Sequence, residues 1–193
     1  MIVNEITVKN IMTKSKLPAS DYAVNPYVGC PHKCKYCYAC FMKRFTGHDE
    51  EWGEFIDIKN FPAIKNPHKY SGKSIFIGSV TDSYNPFEKE YEKTREILKQ
   101  FVDTDVEIII STKSKLVTRD LDLLKQIKDI TVAFSINTMD EKFRSDMDKA
   151  STIQERLKAM KELHTNGIHT VTFISPTQLS QHKSPNIAWI NPA

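Results

Sequence analysis

The sequence predicts an α/β protein built on a parallel sheet with crossover helices. Three observations predict it. Short apolar, β-branched runs recur along the chain, most clearly Ser74–Val80 (Ser-Ile-Phe-Ile-Gly-Ser-Val). Stretches of helical periodicity separate them at the spacing of βα units. The 193 residues, 40% hydrophobic and 26% charged, have the size and balance of one globular domain with a real core. The alternation leaves open whether the sheet stays flat or curls into a barrel.

The elements follow in order. Residues 1–20 are polar and read as an extended N-terminal arm with a weak strand near Glu5–Val8. Asp21–Val28 offers a short strand running into a cysteine loop, with Pro26 placing it at an edge or ending it early. Ala39–Phe45 reads as a short helix and Glu54–Ile58 as a brief strand. Asn60–Gly72 is loop-like, with Pro62, Pro67 and Gly72.

After Ser74–Val80, a helix is expected from Phe87 to Val102. Phe87, Tyr91, Thr94, Leu98 and Phe101 fall on one face, and Pro86 suits the first turn. Val106–Ser111 is a second buried strand, Arg119–Lys128 a second helix and Ile130–Ile136 a third strand. Ser151–Asn166 is the strongest helix. Ser151 or Thr152 caps it, Gln154 or Glu155 completes a capping box, and Asn166-Gly167 stops it. His169–Ser175 follows as a strand. The core therefore spans residues 21–176. Residues 177–193 form an irregular tail, and a βα series that stops just after a strand leaves a sheet edge uncovered.

The formal charge of +3 permits an anionic partner without arguing for one, since no basic block stands out. No signal peptide or membrane-spanning stretch is visible, so a cytoplasmic protein with no membrane contact is expected. In that reducing compartment, clustered cysteines are metal ligands or reactive thiols more often than disulfides.

The chemistry gathers in one stretch. Cys30-Pro31-His32-Lys33-Cys34-Lys35-Tyr36-Cys37 spaces three cysteines as C-x3-C-x2-C, and Cys40 is the fourth and last. Four readings compete. A structural zinc site, with four cysteines or with three plus His32 or His48, usually takes two separated ligand pairs, which this crowded loop lacks. A thiol-disulfide site draws on two C-x2-C pairs, but they share Cys37. Unreactive buried cysteines do not generate such spacing. An iron–sulfur cubane suits it, because one loop reaches several irons, and three thiolates leave one iron open.

The run Cys30–Cys37 resembles the signature of the radical S-adenosylmethionine (SAM) superfamily. The resemblance extends through Asn25-Pro26-Tyr27-Val28-Gly29 before it and Tyr38-Ala39 after it. It continues through Gly78-Ser79-Val80-Thr81-Asp82-Ser83-Tyr84-Asn85-Pro86-Phe87-Glu88, Thr112-Lys113-Ser114 and Arg119-Asp120-Leu121-Asp122-Leu123-Leu124. Ser135-Ile136-Asn137-Thr138 and Arg156-Leu157 complete it. Together these look like the branch that holds spore photoproduct lyase-like proteins and radical SAM mobile pair proteins, from about residue 8 to residue 176.

The resemblance implies a partial (β/α) barrel of the radical SAM type. It implies a [4Fe–4S] cluster on Cys30, Cys34 and Cys37, with SAM chelated at the open iron and cleaved by an electron from the reduced cluster. The products are methionine and a 5′-deoxyadenosyl radical that abstracts hydrogen from a substrate. By the same resemblance Tyr36 lies near the adenine, and Thr81 and Asp82 approach the methionine amino group. Lys113 and Ser135 are candidates for the SAM carboxylate and ribose, with Asn137 and then Arg156 as weaker ones. Each has a plainer reading: core packing for Tyr36, a solvated loop lysine for Lys113, an exposed helix arginine for Arg156. An electron donor such as flavodoxin or ferredoxin is implied, and a second radical SAM protein is a candidate partner.

Three departures shape the expectation. Cys40 is extra to the three-cysteine core and reads as a spectator, with a spare ligand as the alternative. Ser79 stands roughly where spore photoproduct lyase carries its hydrogen-donating cysteine. That argues against thymine-dimer repair by that route and weakens the case for a nucleic-acid substrate. The match also fades after Phe173-Ile174-Ser175-Pro176, so about five of six βα units are expected, as in a C-terminally truncated copy. The alternative function is then an inactive fragment that binds a cluster or zinc.

Overall fold

The computed structural model describes residues 1–18, 20–174 and 189–190. The N-terminal arm carries two strands, β1 (Ile2–Thr7), which overlaps the weak strand expected near Glu5–Val8, and β2 (Met12–Lys14), which was not expected. The Asp21–Val28 stretch divides at Asn25-Pro26 into β3 (Tyr22–Val24) and β4 (Tyr27–Val28), which join different sheets. Pro26 has no N–H to continue a ladder, and Asn25 turns its side chain to the Ser79 hydroxyl and the Val80 amide, each at 3.0 Å. β5 (Phe55–Asn60) pairs in parallel with β1 and antiparallel with β4, making a small sheet of three strands.

The main sheet grows by one strand per βα unit. β6 (Ser74–Ile77) leads through helices α1 (Glu88–Tyr91) and α2 (Lys93–Lys99) to β7 (Glu107–Thr112). A 3-10 turn (Lys115–Asp120) and α3 (Leu121–Leu124) return the chain to β8 (Asp129–Ser135). Helices α4 (Glu141–Met147) and α5 (Ile153–Thr165) lead to β9 (His169–Phe173). The sheet order is β10-β9-β8-β7-β6-β3-β2, where β10 is Trp189–Ile190. β3, β6, β7, β8 and β9 are successive parallel neighbours. Doubly wound sheets reverse strand order at a switch point, whereas barrel staves follow the chain in sequence. This order is that of a partial barrel.

Period-two alternation decides which face each strand buries. Ile75 and Ile77 of β6, Ile108 and Ile110 of β7, and Val132 and Phe134 of β8 are fully buried. They share one core with Ile97, Leu98, Phe101, Leu124 and Leu163 from the helical layer. The intervening Phe76, Ile109 and Thr131 face the other side and are only half-buried.

Three helical expectations change. The Arg119–Lys128 helix contracts to α3, since Arg119 and Asp120 belong to the tighter 3-10 turn and the chain turns after Leu124. The Phe87–Val102 helix breaks at Glu92, whose φ of 49° is left-handed. The Glu88 carboxylate causes the break by accepting from the Thr94 and Arg95 amides at 2.9 and 3.2 Å, which starts a second helix. α4 stands where no helix was expected, capped by the Asp140 carboxylate on the Phe143 amide at 3.0 Å. α5 forms as its sequence predicts, with Thr152 and Glu155 making a complete capping box. The 177–193 tail lies outside the described residues except for β10, which adds antiparallel to β9. Among the described residues no helix is long and apolar enough to cross a membrane.

Candidate cluster and cofactor site

The cysteine loop follows β4 immediately, and two glycines set its geometry. Gly29, with φ +88°, lies so close to β5 that a Cβ would stand 2.3 Å from the Phe55 carbonyl oxygen. Gly78, also at +88°, turns the chain out of β6. Both backbones occupy a region that L side chains disfavour. Within the loop, the Lys33 amide donates to the Cys30 carbonyl at 3.3 Å and the Cys37 amide to the Cys34 carbonyl at 3.0 Å. These turns present three cysteines from one short segment. All four cysteines are free thiols: Cys30 is buried, Cys34 and Cys37 half-buried, and Cys40 exposed.

The loop after β6 closes onto the cysteine loop. Thr81 donates its hydroxyl to the Gly29 carbonyl at 2.7 Å. Asp82 is the junction. Its Oδ1 accepts from the Thr112 hydroxyl at 2.8 Å and its Oδ2 from the Lys113 amide at 2.7 Å. His32 Nδ1 stands 3.2 Å from the same Oδ2, in ionic contact but without hydrogen-bond geometry. Burial opposes charge on both groups. The pair nevertheless holds the Asp82 carboxyl well below the usual range, while Asp82 and the Cys30 thiol beside it raise His32.

The wall behind this loop is charged and tightly paired. Glu88 is buried and binds the Tyr27 hydroxyl and, at 2.7 Å, Arg119. Asp120, also buried, accepts from Arg95 at 2.8 Å and from the Tyr84 hydroxyl at 3.1 Å. The network fastens the strand before Cys30 to the far end of the Gly78–Glu88 segment.

Lys113 and Tyr36 complete the inner site. Lys113 Nζ lies 5.8 Å from the Tyr36 ring centroid, a cation–π distance. Lys113 is half-buried rather than a solvated loop lysine. Its burial disfavours the cation, but the neighbouring Cys34, Tyr36 and Asp82 outweigh that and raise its pKa. Burial pushes the Cys34 thiol up to about 12, with Lys113 opposing and Cys30, Asp148 and Cys37 adding to the rise. Burial raises Cys37 as well.

Ser135 and Asn137 are buried at the end of β8. Ser135 is tied to the cysteine loop only indirectly, through Arg156. Arg156 is not the exposed helix arginine that its position implied. It is fully buried, donating to the Ser135 carbonyl at 3.0 Å, the Ser151 carbonyl at 2.8 Å and Asp148 at 2.6 Å. Asp148 went unnoticed in the sequence because one acidic residue before a helix cap carries no pattern. Ser79 is buried, and its hydroxyl is engaged by Asn25.

The residues present fit a thiolate-bound cluster with a polar ligand beside it. Three cysteines share one loop, where their thiolate forms would repel one another, and the half-buried Lys113 ammonium offers them a counter-charge. Among the described residues, the buried side-chain atoms with no hydrogen-bond partner include Tyr36 Oη on the cysteine loop, Asn137 Nδ2 just after β8 and Asp148 Oδ2, each able to bond a polar molecule. No group of three or more His, Cys, Asp or Glu among those residues is gathered around a single-ion position.

The fold and site define a class. The radical SAM superfamily model matches residues 24–177, and the chain belongs to that superfamily, whose members carry out SAM-dependent radical chemistry. Among individual proteins, the chain is 41% identical over 175 residues to an uncharacterised protein of Methanocaldococcus jannaschii, covering 89% of this chain and 66% of that one. A protein of Acidianus two-tailed virus is 35% identical over 113 residues, covering 53% and 37%. Spore photoproduct lyase complexed with dinucleoside spore photoproduct shares the fold with a TM-score of 0.69 at 17% identity, covering 90% and 51%. A mutant of that lyase with bound AdoMet and the same dinucleoside gives the same TM-score and identity. The chain thus spans about half the length of these solved structures and 66% of the archaeal relative.

Proposed function

We propose that the chain holds a [4Fe–4S] cluster on Cys30, Cys34 and Cys37 and reductively cleaves SAM bound beside it. The observation that carries this reading is the placement of three free cysteines on one loop, with Lys113 beside the Tyr36 ring of that same loop and the Tyr36 hydroxyl unpartnered. When bound, such a cluster supplies one electron to the sulfonium, giving methionine and a 5′-deoxyadenosyl radical for hydrogen abstraction.

The chain's own residues have separable tasks. Cys30, Cys34 and Cys37 supply the thiolates. The Lys113 ammonium offers a counter-charge to them and a partner for the methionine carboxylate. Thr81 and Asp82 hold their loop against Gly29 and His32, placing backbone near the methionine amino group. Tyr36 offers its ring and hydroxyl to the adenine side, while Ser135 and Asn137 present polar groups from the end of β8 to the ribose. Cys40 stays outside the ligand set.

A low-potential carrier of the flavodoxin or ferredoxin type supplies the electron in the cytoplasm, and the hydrogen donor is a separate substrate. Spore photoproduct lyase is complexed with a dinucleoside spore photoproduct, yet Ser79 offers no thiol for hydrogen return in this chain. The test is anaerobic reconstitution followed by dithionite and SAM. Release of 5′-deoxyadenosine is the expected result, and zinc without sulfide, or a cluster that never cleaves SAM, overturns it.

A further inference from the structure

The cysteine loop is held from a side that the cluster chemistry does not itself require. The Lys35 amide donates to the Met147 carbonyl at 2.9 Å, and the Lys149 amide to the His32 carbonyl at 2.7 Å. These bonds flank Cys34 on the loop and Asp148 on the facing segment. Asp148 is buried, and its Oδ1 accepts from Arg156 at 2.6 Å, from the Ala150 amide at 3.0 Å and from Arg144 at 3.5 Å. Arg156 in turn donates to the Ser135 carbonyl at 3.0 Å.

We propose that Asp148 is a positioning residue. Its carboxylate, gripped by Arg156 and Arg144, locks residues 147–149 against the main chain on both sides of Cys34 and ties that loop to the end of β8. The inference rests on the proposed cluster site and adds the part that sets its spacing. Two elements must keep a fixed separation for the site to work: the loop that carries the thiolates and the strand end that carries Ser135 and Asn137. Arg156 bridges them because its planar fork reaches Ser135 with one nitrogen and Asp148 with the other. A lysine at this position has one point charge and cannot make both contacts in fixed geometry.

A purely structural role makes a different prediction. Ion pairs that only stabilise α5 affect the melting temperature, and any equal loss elsewhere in α5 has the same consequences. Thr152→Ala provides that comparison, since it removes the α5 cap without touching Asp148.

The experiment compares wild type, Asp148→Asn, Arg156→Lys and Thr152→Ala as full chains. Amide hydrogen exchange at Lys35 and Lys149 is read in the protein without cluster, and iron release to a chelator is read after reconstitution. Asp148→Asn is expected to speed exchange at both amides and to quicken iron release by about tenfold, as loss of outer-shell support does elsewhere. Arg156→Lys should follow it, and Thr152→Ala should leave both readings at the wild-type level. If Asp148→Asn matches Thr152→Ala in both readings, the proposal is overturned. Should Asp148→Asn not fold, Arg156→Lys decides by the same criteria. If wild type takes up no cluster, the proposed function fails, and the exchange rates alone decide the positioning role.

Discussion

Asp82 and His32 meet inside the protein at 3.2 Å, one from the loop after β6 and the other from between the first two cysteines. Both are buried. The contact joins a loop that follows a barrel stave to a loop that precedes one, and Thr112 and Lys113 of the next stave hold the same carboxylate. Removing one member of such a buried pair leaves the other charge uncompensated. Asp82→Asn is therefore expected to lower unfolding stability by about 3–5 kcal/mol. Urea denaturation of the cluster-free chain measures it, and a loss below about 1 kcal/mol, the level of a surface pair, refutes the assignment.

Gly29 and Gly72 offer a matched comparison. Both have positive φ, +88° and +71°, but only Gly29 faces a backbone atom within 4 Å, the Phe55 carbonyl at 2.3 Å from a built Cβ. Gly72→Ala is expected to cost about 1 kcal/mol from conformation alone. Gly29→Ala must also push β5 away from the cysteine loop, and a cost of about 3 kcal/mol or more is expected. Equal melting temperatures for the two variants contradict the close approach.

The α5 cap gives a third number. Thr152→Ala removes a side chain that accepts from the Glu155 amide and frees the reciprocal Glu155 contact. The expected loss is about 1 kcal/mol. An unchanged denaturation midpoint shows that the capping box contributes nothing.

His48 carries a pH dependence outside the cysteine site. Its ring stacks on Phe55 with centroids 3.8 Å apart and contacts Asp57 at 2.8 Å and Glu50 at 3.1 Å. Partial burial opposes its charge, but those carboxylates raise its pKa above the ordinary histidine value. A raised folded-state pKa means that the contribution is fully present below the unfolded value of about 6.5 and is lost as pH rises through the folded one. Stability of wild type relative to His48→Gln should fall across that window, and NMR titration should place His48 above an exposed histidine. A midpoint at or below the exposed value removes the effect.

The βα alternation was legible because buried parallel strands are short β-branched runs, as in Ser74–Ile77, and because Thr152 and Glu155 announce α5 locally. Where the reading missed, tertiary contacts decided. β1 is exposed along most of its length, so only its second half was marked, by the weak strand expected near Glu5–Val8. The helix break at Glu92 depends on Glu88 reaching two amides ahead, and Pro86 pointed to one continuous helix instead. Asp140 could have announced α4, since an aspartate three residues before the Phe143 amide is a cap signal. In the site, cysteine spacing survives translation from sequence to structure because one loop holds all three. Arg156 does not, because only the packing of α5 against the end of β8 turns a first-turn arginine inward. Asp148 became visible only once main-chain bonds placed it opposite Cys34.

The central claim is that Cys30, Cys34 and Cys37 hold the cluster and that exposed Cys40 does not. Iron and sulfide counts after anaerobic reconstitution of wild type, Cys34→Ala and Cys40→Ala test it most directly. Wild type and Cys40→Ala should each carry about four irons with matching sulfide, and Cys34→Ala should lose the cluster. A full cluster in Cys34→Ala, or its loss in Cys40→Ala, would contradict the account.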